Sequence, residues 1–160
     1  MQELEQLPAI ERSAGLAFRG SSQDAVADGD DNPAEFYVPL QADGLVLVAT
    51  EGGSLLGFSA CQACEDALHL WELSVRLEQQ RRGIGRELLA ATMNLARARG
   101  LPVVTLTTFR DIAWNAPFYA RLGFVELSLD EFNPRLAAIR EREAALGLDI
   151  ANRCAMRLAL

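Results

Sequence analysis

Lysine is missing from this 160-residue chain: all 15 basic residues are arginine, and nothing in the sequence gives that a physical reason. Long apolar runs are missing too. Stretches such as Leu45 to Ala49 fall far short of the ~20 residues a membrane helix needs, so no membrane partner is expected. Positive charge is scarce, with a net charge of −7. That argues against non-specific nucleic-acid binding and suits a cationic partner. There is one histidine, His69, and three cysteines. Cys61 and Cys64 form a lone CxxC within a strand-like run, where residues three apart point to opposite faces. No second CxxC or histidine pair completes a metal site, so buried free thiols and no metal are expected. The segment MQELEQLPAIER has neither the basic start nor the apolar core of a secretion signal, and a cytoplasmic location is the expectation.

Half the residues are hydrophobic and 23% are charged, the balance of a folded globular chain. The length suits one domain, residues 1–160. The pattern alternates between apolar runs and amphipathic stretches. Pro8 to Arg19 reads as a helix, and Ser21 to Glu35 as an acidic loop or broken helix. Two apolar runs, Leu45 to Thr50 and Leu55 to Cys64, flank Gly52-Gly53 as a hairpin. Leu68 to Leu77 is a third strand. Arg86 to Arg99 is an amphipathic helix with Ile84, Leu88, Ala91 and Leu95 on one face. Gly100 and Pro102 end it. Val103 to Thr108 is a β-branched strand. Asn115 to Leu122 is a short helix with Asn115 as N-cap. A strand Phe124 to Leu127, a helix Pro134 to Ala145 and a strand Cys154 to Leu160 complete a mixed α/β domain.

The most telling stretch is Gln80-Arg81-Arg82-Gly83-Ile84-Gly85. It lies between a strand and a long helix. A glycine turn at a helix start leaves N–H groups free and aims the positive helix end outward, which suits an anionic phosphate. A dinucleotide GxGxxG is disfavoured, because Leu88 occupies the third glycine position.

These residues carry a resemblance. Val75 to Gly85 resembles the acetyl-CoA-binding signature of the GCN5-related N-acetyltransferase (GNAT) family, a (Gln/Arg)-x-x-Gly-x-(Gly/Ala) turn after the family's fourth strand. Asn115-Ala116-Pro117-Phe118-Tyr119-Ala120-Arg121-Leu122-Gly123-Phe124 is similar to the family's second signature, an asparagine followed by Phe-Tyr and Leu-Gly-Phe. Leu77 departs from the family, which often has proline there, and this should alter only the strand exit.

The resemblance implies an α/β fold with a mixed, mostly antiparallel sheet whose fourth and fifth strands splay apart. It implies acetyl transfer from acetyl-CoA, with no metal, to a primary amine. The pyrophosphate would sit on backbone N–H groups of Arg81 to Arg86, including Arg82, Gly83, Ile84 and Gly85, beside Gln80. Side chains of Arg81, Arg82 or Arg86 would add charge. The pantetheine arm would bond backbone groups near Leu73 and Val75, and Asn115 would contact it. Tyr119 matches the family tyrosine that gives a proton to the departing thiolate. Glu72 is a candidate base, directly or through a water. His69 titrates in a suitable range, but a lone strand histidine is more often structural. Trp71 and Trp114 read as core or pocket wall. In the family the region after the first helix helps form the acceptor site, and the acids from Asp24 to Glu35 would favour a cationic amine there. Two alternatives stand beside this: a non-catalytic acyl-CoA-binding module on the same scaffold, and a modifier of protein or tRNA-bound amines. Family members often form dimers, yet no residue here marks an interface.

Overall fold

The computed structural model describes residues 4–160. Helix α1 (Leu7–Gly15) has Pro8 in its first turn and buries Leu7 and Ile10. It does not run to Arg19: the chain tightens into a 3-10 turn at Leu16–Phe18, and Arg19 leaves in an extended conformation. The acidic segment holds a second 3-10 turn, Asp24–Asp28.

Helix α2 (Ala34–Ala42) follows and was not expected. Its apolar residues run together as Phe36, Tyr37 and Val38 rather than at helical spacing, and Pro39 sits inside it. Packing overrides that weak local signal, since Tyr37 is fully buried and Leu40 nearly so.

Strands β1 (Val46–Glu51) and β2 (Ser54–Ala63) form the expected hairpin. Both turn glycines have positive φ, Gly52 at 56° and Gly53 at 83°, as a tight right-twisted hairpin requires. Strand β3 (Leu68–Val75) ends in a 3-10 turn at Leu77–Gln79. Then come α3 (Ile84–Ala98), β4 (Val103–Phe109), α4 (Ala116–Ala120), β5 (Val125–Glu126), α5 (Pro134–Ala145) and β6 (Arg153–Ala159). They build one six-stranded sheet in the order β1-β2-β3-β4-β6-β5. Every pairing is antiparallel except β3 with β4.

The sheet is covered on both faces. Ser59 and Cys61 of β2 point toward α3, while Phe58 and Ala60 point toward α1 and α2. Helix α3 buries Leu88, Leu89, Thr92 and Ala96; of the expected stripe, Leu88 is buried and Leu95 packs against the core, while Ile84 is half-buried and Ala91 exposed. Thr92 enters the core because its hydroxyl meets that of Ser59 at 2.9 Å, so neither is left unsatisfied. Helix α5 covers the other face near β6, where Leu136 and Ile139 pack with Leu127 and Ala155.

One irregularity shapes everything that follows. Opposite β2, Ala60 pairs with Glu72 and Cys61 with Leu70, so Trp71 is an extra residue in β3. Such a bulge bends its strand and re-aims side chains. Past it, β3 loses β4: their pairing covers only Leu68–Leu70 against Val104–Leu106. The splay therefore opens between the third and fourth strands of this chain rather than the fourth and fifth, because among the described residues no strand precedes β1. Gly57 holds the other edge of the bent strand close. A Cβ there would lie 2.6 Å from the Ser74 carbonyl oxygen.

Candidate active site

The splay opens a cavity of about 470 Å³. Its walls come from α1, β3, the turn after β3, β4, α4 and β6. Beyond Leu70 the β4-facing edge of β3 has no strand partner, so Leu73 and Val75 lie on an unpaired strand edge beside the cavity.

The turn at one end is built on left-handed backbone. Gly83 is the N-cap of α3 at φ 88°, and the non-glycine Arg81 is also left-handed at φ 60°. Two left-handed residues in a short turn curl successive N–H groups inward, an arrangement suited to anions. The first α3 hydrogen bond is donated by Glu87 to the Gly83 carbonyl. Among the described residues, no backbone bond of a turn or cap uses the N–H of any residue from Arg81 to Arg86. Gln80 braces the turn by donating its side-chain amide to the Val75 carbonyl at 3.0 Å. Gln80, Arg81, Gly83, Ile84, Gly85 and Arg86 all line the cavity. Arg82 does not; its guanidinium pairs with Glu51 at 2.9 Å and donates to Gln79.

Asn115 also lines the cavity, but its side chain does not cap α4. It turns back to β4, where Oδ1 accepts from the Thr108 hydroxyl at 2.7 Å. Its backbone carbonyl takes the first N–H groups of α4, from Phe118 and Tyr119. The asparagine thus locks α4 against β4 and fixes Tyr119. That ring packs edge-on to Phe124 and Phe118. Burial, and then the nearby Glu72 carboxylate, push the Tyr119 phenol above its ordinary value, so it keeps its proton.

Glu72 follows the bulge and faces the same cavity. It accepts from the Ser74 hydroxyl at 2.5 Å. Burial raises its pKa, which makes it a stronger base than an exposed glutamate. His69 lies away from the cavity. It is buried, its Nδ1 meets the Thr105 hydroxyl at 2.9 Å, and burial lowers its pKa to about 3.

Four contributors were not anticipated. Glu11 of α1, Phe18, Thr107 of β4 and Arg153 of β6 all line the cavity. Glu11 accepts from the Tyr37 hydroxyl at 2.5 Å, the Asn32 amide at 2.9 Å and the Asn32 backbone N–H at 3.2 Å. Burial and Glu72 raise its pKa to about 8. Arg153 lies over the Phe109 ring and is held by Glu143 at 2.6 Å and Thr107 at 3.0 Å. No local pattern marks these residues; three carry ordinary amphipathic-helix or strand identities, and only the fold brings them together.

The acidic segment is different from expectation. Asp28 pairs with Arg19 at 2.6 Å and Asp31 with Arg12 at 2.5 Å. Of residues 24–35, only Val26 lines the cavity. Gln23 donates to Asp111 and Asp149, and Phe18 packs edge-on against Phe109 and Trp114. Trp71 and Trp114 are cavity walls. Cys61, Cys64 and Cys154 are free thiols. Among the described residues, no group of three or more His, Cys, Asp or Glu side chains could hold a metal ion. Nor is any helix long and apolar enough to cross a membrane.

A strand bent away from its parallel neighbour, ending in a turn of free N–H groups, can be compared with known proteins. The model of an acetyltransferase (GNAT) domain matches residues 42–126, from the end of α2 to β5. The chain belongs to the GNAT acetyltransferase family. Both signature regions lie within that match. A mycothiol acetyltransferase of Clavibacter michiganensis subsp. michiganensis is 31% identical over 116 residues, 72% of this chain. The chain spans only 35% of that relative's length. The PaiA N-acetyltransferase of Thermoplasma acidophilum, solved in complex with coenzyme A, superposes with a TM-score of 0.68. It is 16% identical, over 99% of this chain and 94% of its own. The ribosomal-protein-S18-alanine N-acetyltransferase of Escherichia coli also gives 0.68 at 19% identity, over 99% and 88%. These two share the GNAT fold with this chain.

Proposed function

We propose that this GNAT domain transfers an acetyl group from acetyl-CoA to a primary amine by direct attack within a ternary complex. One observation carries the reading: the free N–H turn, the unpaired edge of β3, Glu72 and Tyr119 meet in one cavity. The turn fits a pyrophosphate, because its N–H groups from Arg81 to Arg86 have no backbone partner among the described turn and cap bonds, and Gly83 holds a left-handed N-cap. Arg81 and Arg86 add positive charge beside it, while Arg82 contributes its backbone. Leu73 and Val75 offer backbone groups to the pantetheine arm, and Asn115 closes that channel from α4. Acetyl-CoA supplies an acyl group already activated as a thioester.

The remaining chemistry falls to the side chains. Glu72 takes a proton from the incoming ammonium, directly or through a water, and frees the amine lone pair. A backbone N–H near Leu73 donates to the oxygen that gains charge on attack. Tyr119 gives its phenolic proton to the leaving sulfur. One relative is a mycothiol acetyltransferase and one structural neighbour a ribosomal-protein-S18-alanine N-acetyltransferase, so the acceptor is assigned here only as a primary amine.

The test is calorimetric titration with acetyl-CoA, followed by thiol release across a panel of amines. Binding with amine-dependent thiol release is expected. Binding without turnover on small amines or peptides would favour a non-catalytic acyl-CoA sensor. No binding would overturn the proposal.

A further inference from the structure

The geometry points to Glu11 as the acceptor-binding residue that, with Glu72, receives the amine as an ammonium ion in exchange for a shared proton. This rests on the transfer reading proposed above.

The chain pairs its other enclosed acids with arginines. Glu143 is held by Arg140 and Arg153, both at 2.6 Å, and Asp31 by Arg12. Glu11 and Glu72 differ. Neither forms a salt bridge among the described residues. Glu11 is held only by neutral donors, Tyr37 and Asn32, and Glu72 by the Ser74 hydroxyl. Yet both line one cavity whose adjoining walls are Phe18, Val26 and Trp71. Two carboxyls beside apolar walls cannot both stay charged without a cation, so one keeps a proton until a cation arrives. Burial raises both, and the Glu72 charge raises Glu11 further, consistent with that sharing.

The charged surroundings leave the exchange to this pair. Tyr37 faces Glu11 from α2, Glu72 from β3, and Asp31 from the loop, already paired with Arg12. Glu78, from the turn after β3, is taken up by Ser13 at 3.4 Å. Arg153 and Asp31 act on Glu72, and Tyr119 lies near it. Arg153 is already committed to Glu143.

The protons balance. The resting pair holds one proton. The ammonium binds and that proton leaves to solvent. Glu72 then takes one proton from the ammonium. The amine nitrogen forms its bond to the acetyl carbon, the carbon–sulfur bond breaks, and sulfur takes the Tyr119 proton. The nitrogen's second proton restores Tyr119, and the third stays on the amide. Glu11 stays charged while the ammonium is bound and positions it.

The test uses two CoA thioethers, S-(3-aminopropyl)-CoA and its neutral counterpart S-butyl-CoA. Their shared CoA part delivers the terminal group to the cavity without a known acceptor. At pH 7 the wild-type protein should bind the ammonium probe about tenfold to a hundredfold more tightly, the range of a charge-assisted hydrogen bond. Binding should release a proton, seen as a heat that varies with buffer ionisation. Glu11→Gln should reduce the preference to about threefold or less and abolish the release, with unchanged affinity for CoA itself. That affinity reports folding of the variant, and the wild-type proton release needs no variant. Equal affinity for both probes, no proton release, or full preference in Glu11→Gln would each overturn the inference and leave the transferase reading intact. Failure of the wild type to bind CoA would instead remove the transferase reading, and this inference with it.

Discussion

The two ends of the cavity are built on opposite plans. The turn after β3 is local: Gln80 to Arg86 are contiguous, and they act mainly through backbone N–H groups made available by Gly83 and the left-handed Arg81. The other end is dispersed. Glu11, Phe18, Glu72 and Arg153 come from α1, the turn after it, β3 and β6, and act through side chains. A backbone site tolerates change in side chains but not in φ. A side-chain site tolerates change in sequence around it but not loss of one carboxyl. On the function proposed above, the local end would recognise the common donor and the dispersed end would choose the acceptor.

Substitutions at each end should separate the two plans. The largest effect expected is on turnover at the dispersed end: Glu72→Gln should lower kcat about a hundredfold with acetyl-CoA affinity nearly intact, measured by thiol release and calorimetry. At the local end, Gly83→Val forces a β-branched residue to φ 88°. It should weaken acetyl-CoA by about tenfold or more, because strain of about 1–3 kcal/mol must be met or the turn reshaped. Arg82→Ala is the control there. It should change acetyl-CoA affinity less than about threefold, since its side chain is turned to Glu51. Tyr119→Phe should lower kcat about tenfold or more without touching binding; an unchanged kcat means the thiolate leaves without this proton.

A stability measurement sharpens the same contrast. The folded Glu11 carboxyl titrates near 8, above its usual 4.5, so the folded state holds a proton that the unfolded chain releases. Its contribution to stability is full below about pH 4.5 and is lost as pH rises toward 8. Tm should therefore fall across that window, and Glu11→Gln should flatten the slope. An unaltered slope would place the titration on another group.

Some of this was legible in the chain and some was not. The hairpin turn at Gly52-Gly53, the helix Pro134 to Ala145 and the Gln80 to Gly85 turn are short-range features. Each is fixed by residues within one or two turns of itself, through φ preferences, caps and periodicity. Helix α2 was missed because Pro39 and an unbroken apolar run hide its period. The buried stripe of α3 was misjudged because Thr92 counts as polar until Ser59 is placed opposite it. Asn115 kept its place before α4, yet its side chain went to Thr108, a partner that only the β4–α4 packing supplies.

By itself the sequence determined the order of elements other than α2, the glycine turn and the two signatures that lie within the GNAT match. These rest on backbone conformations that a few adjacent residues impose. Only the tertiary structure decided the rest: the Trp71 bulge that parts β3 from β4, the commitment of Asp28 and Asp31 to arginines, and the meeting of Glu11 with Glu72 across sixty residues of chain. Charge and burial depend on neighbours in space, and no spacing along the chain encodes which acid will be left without a cation.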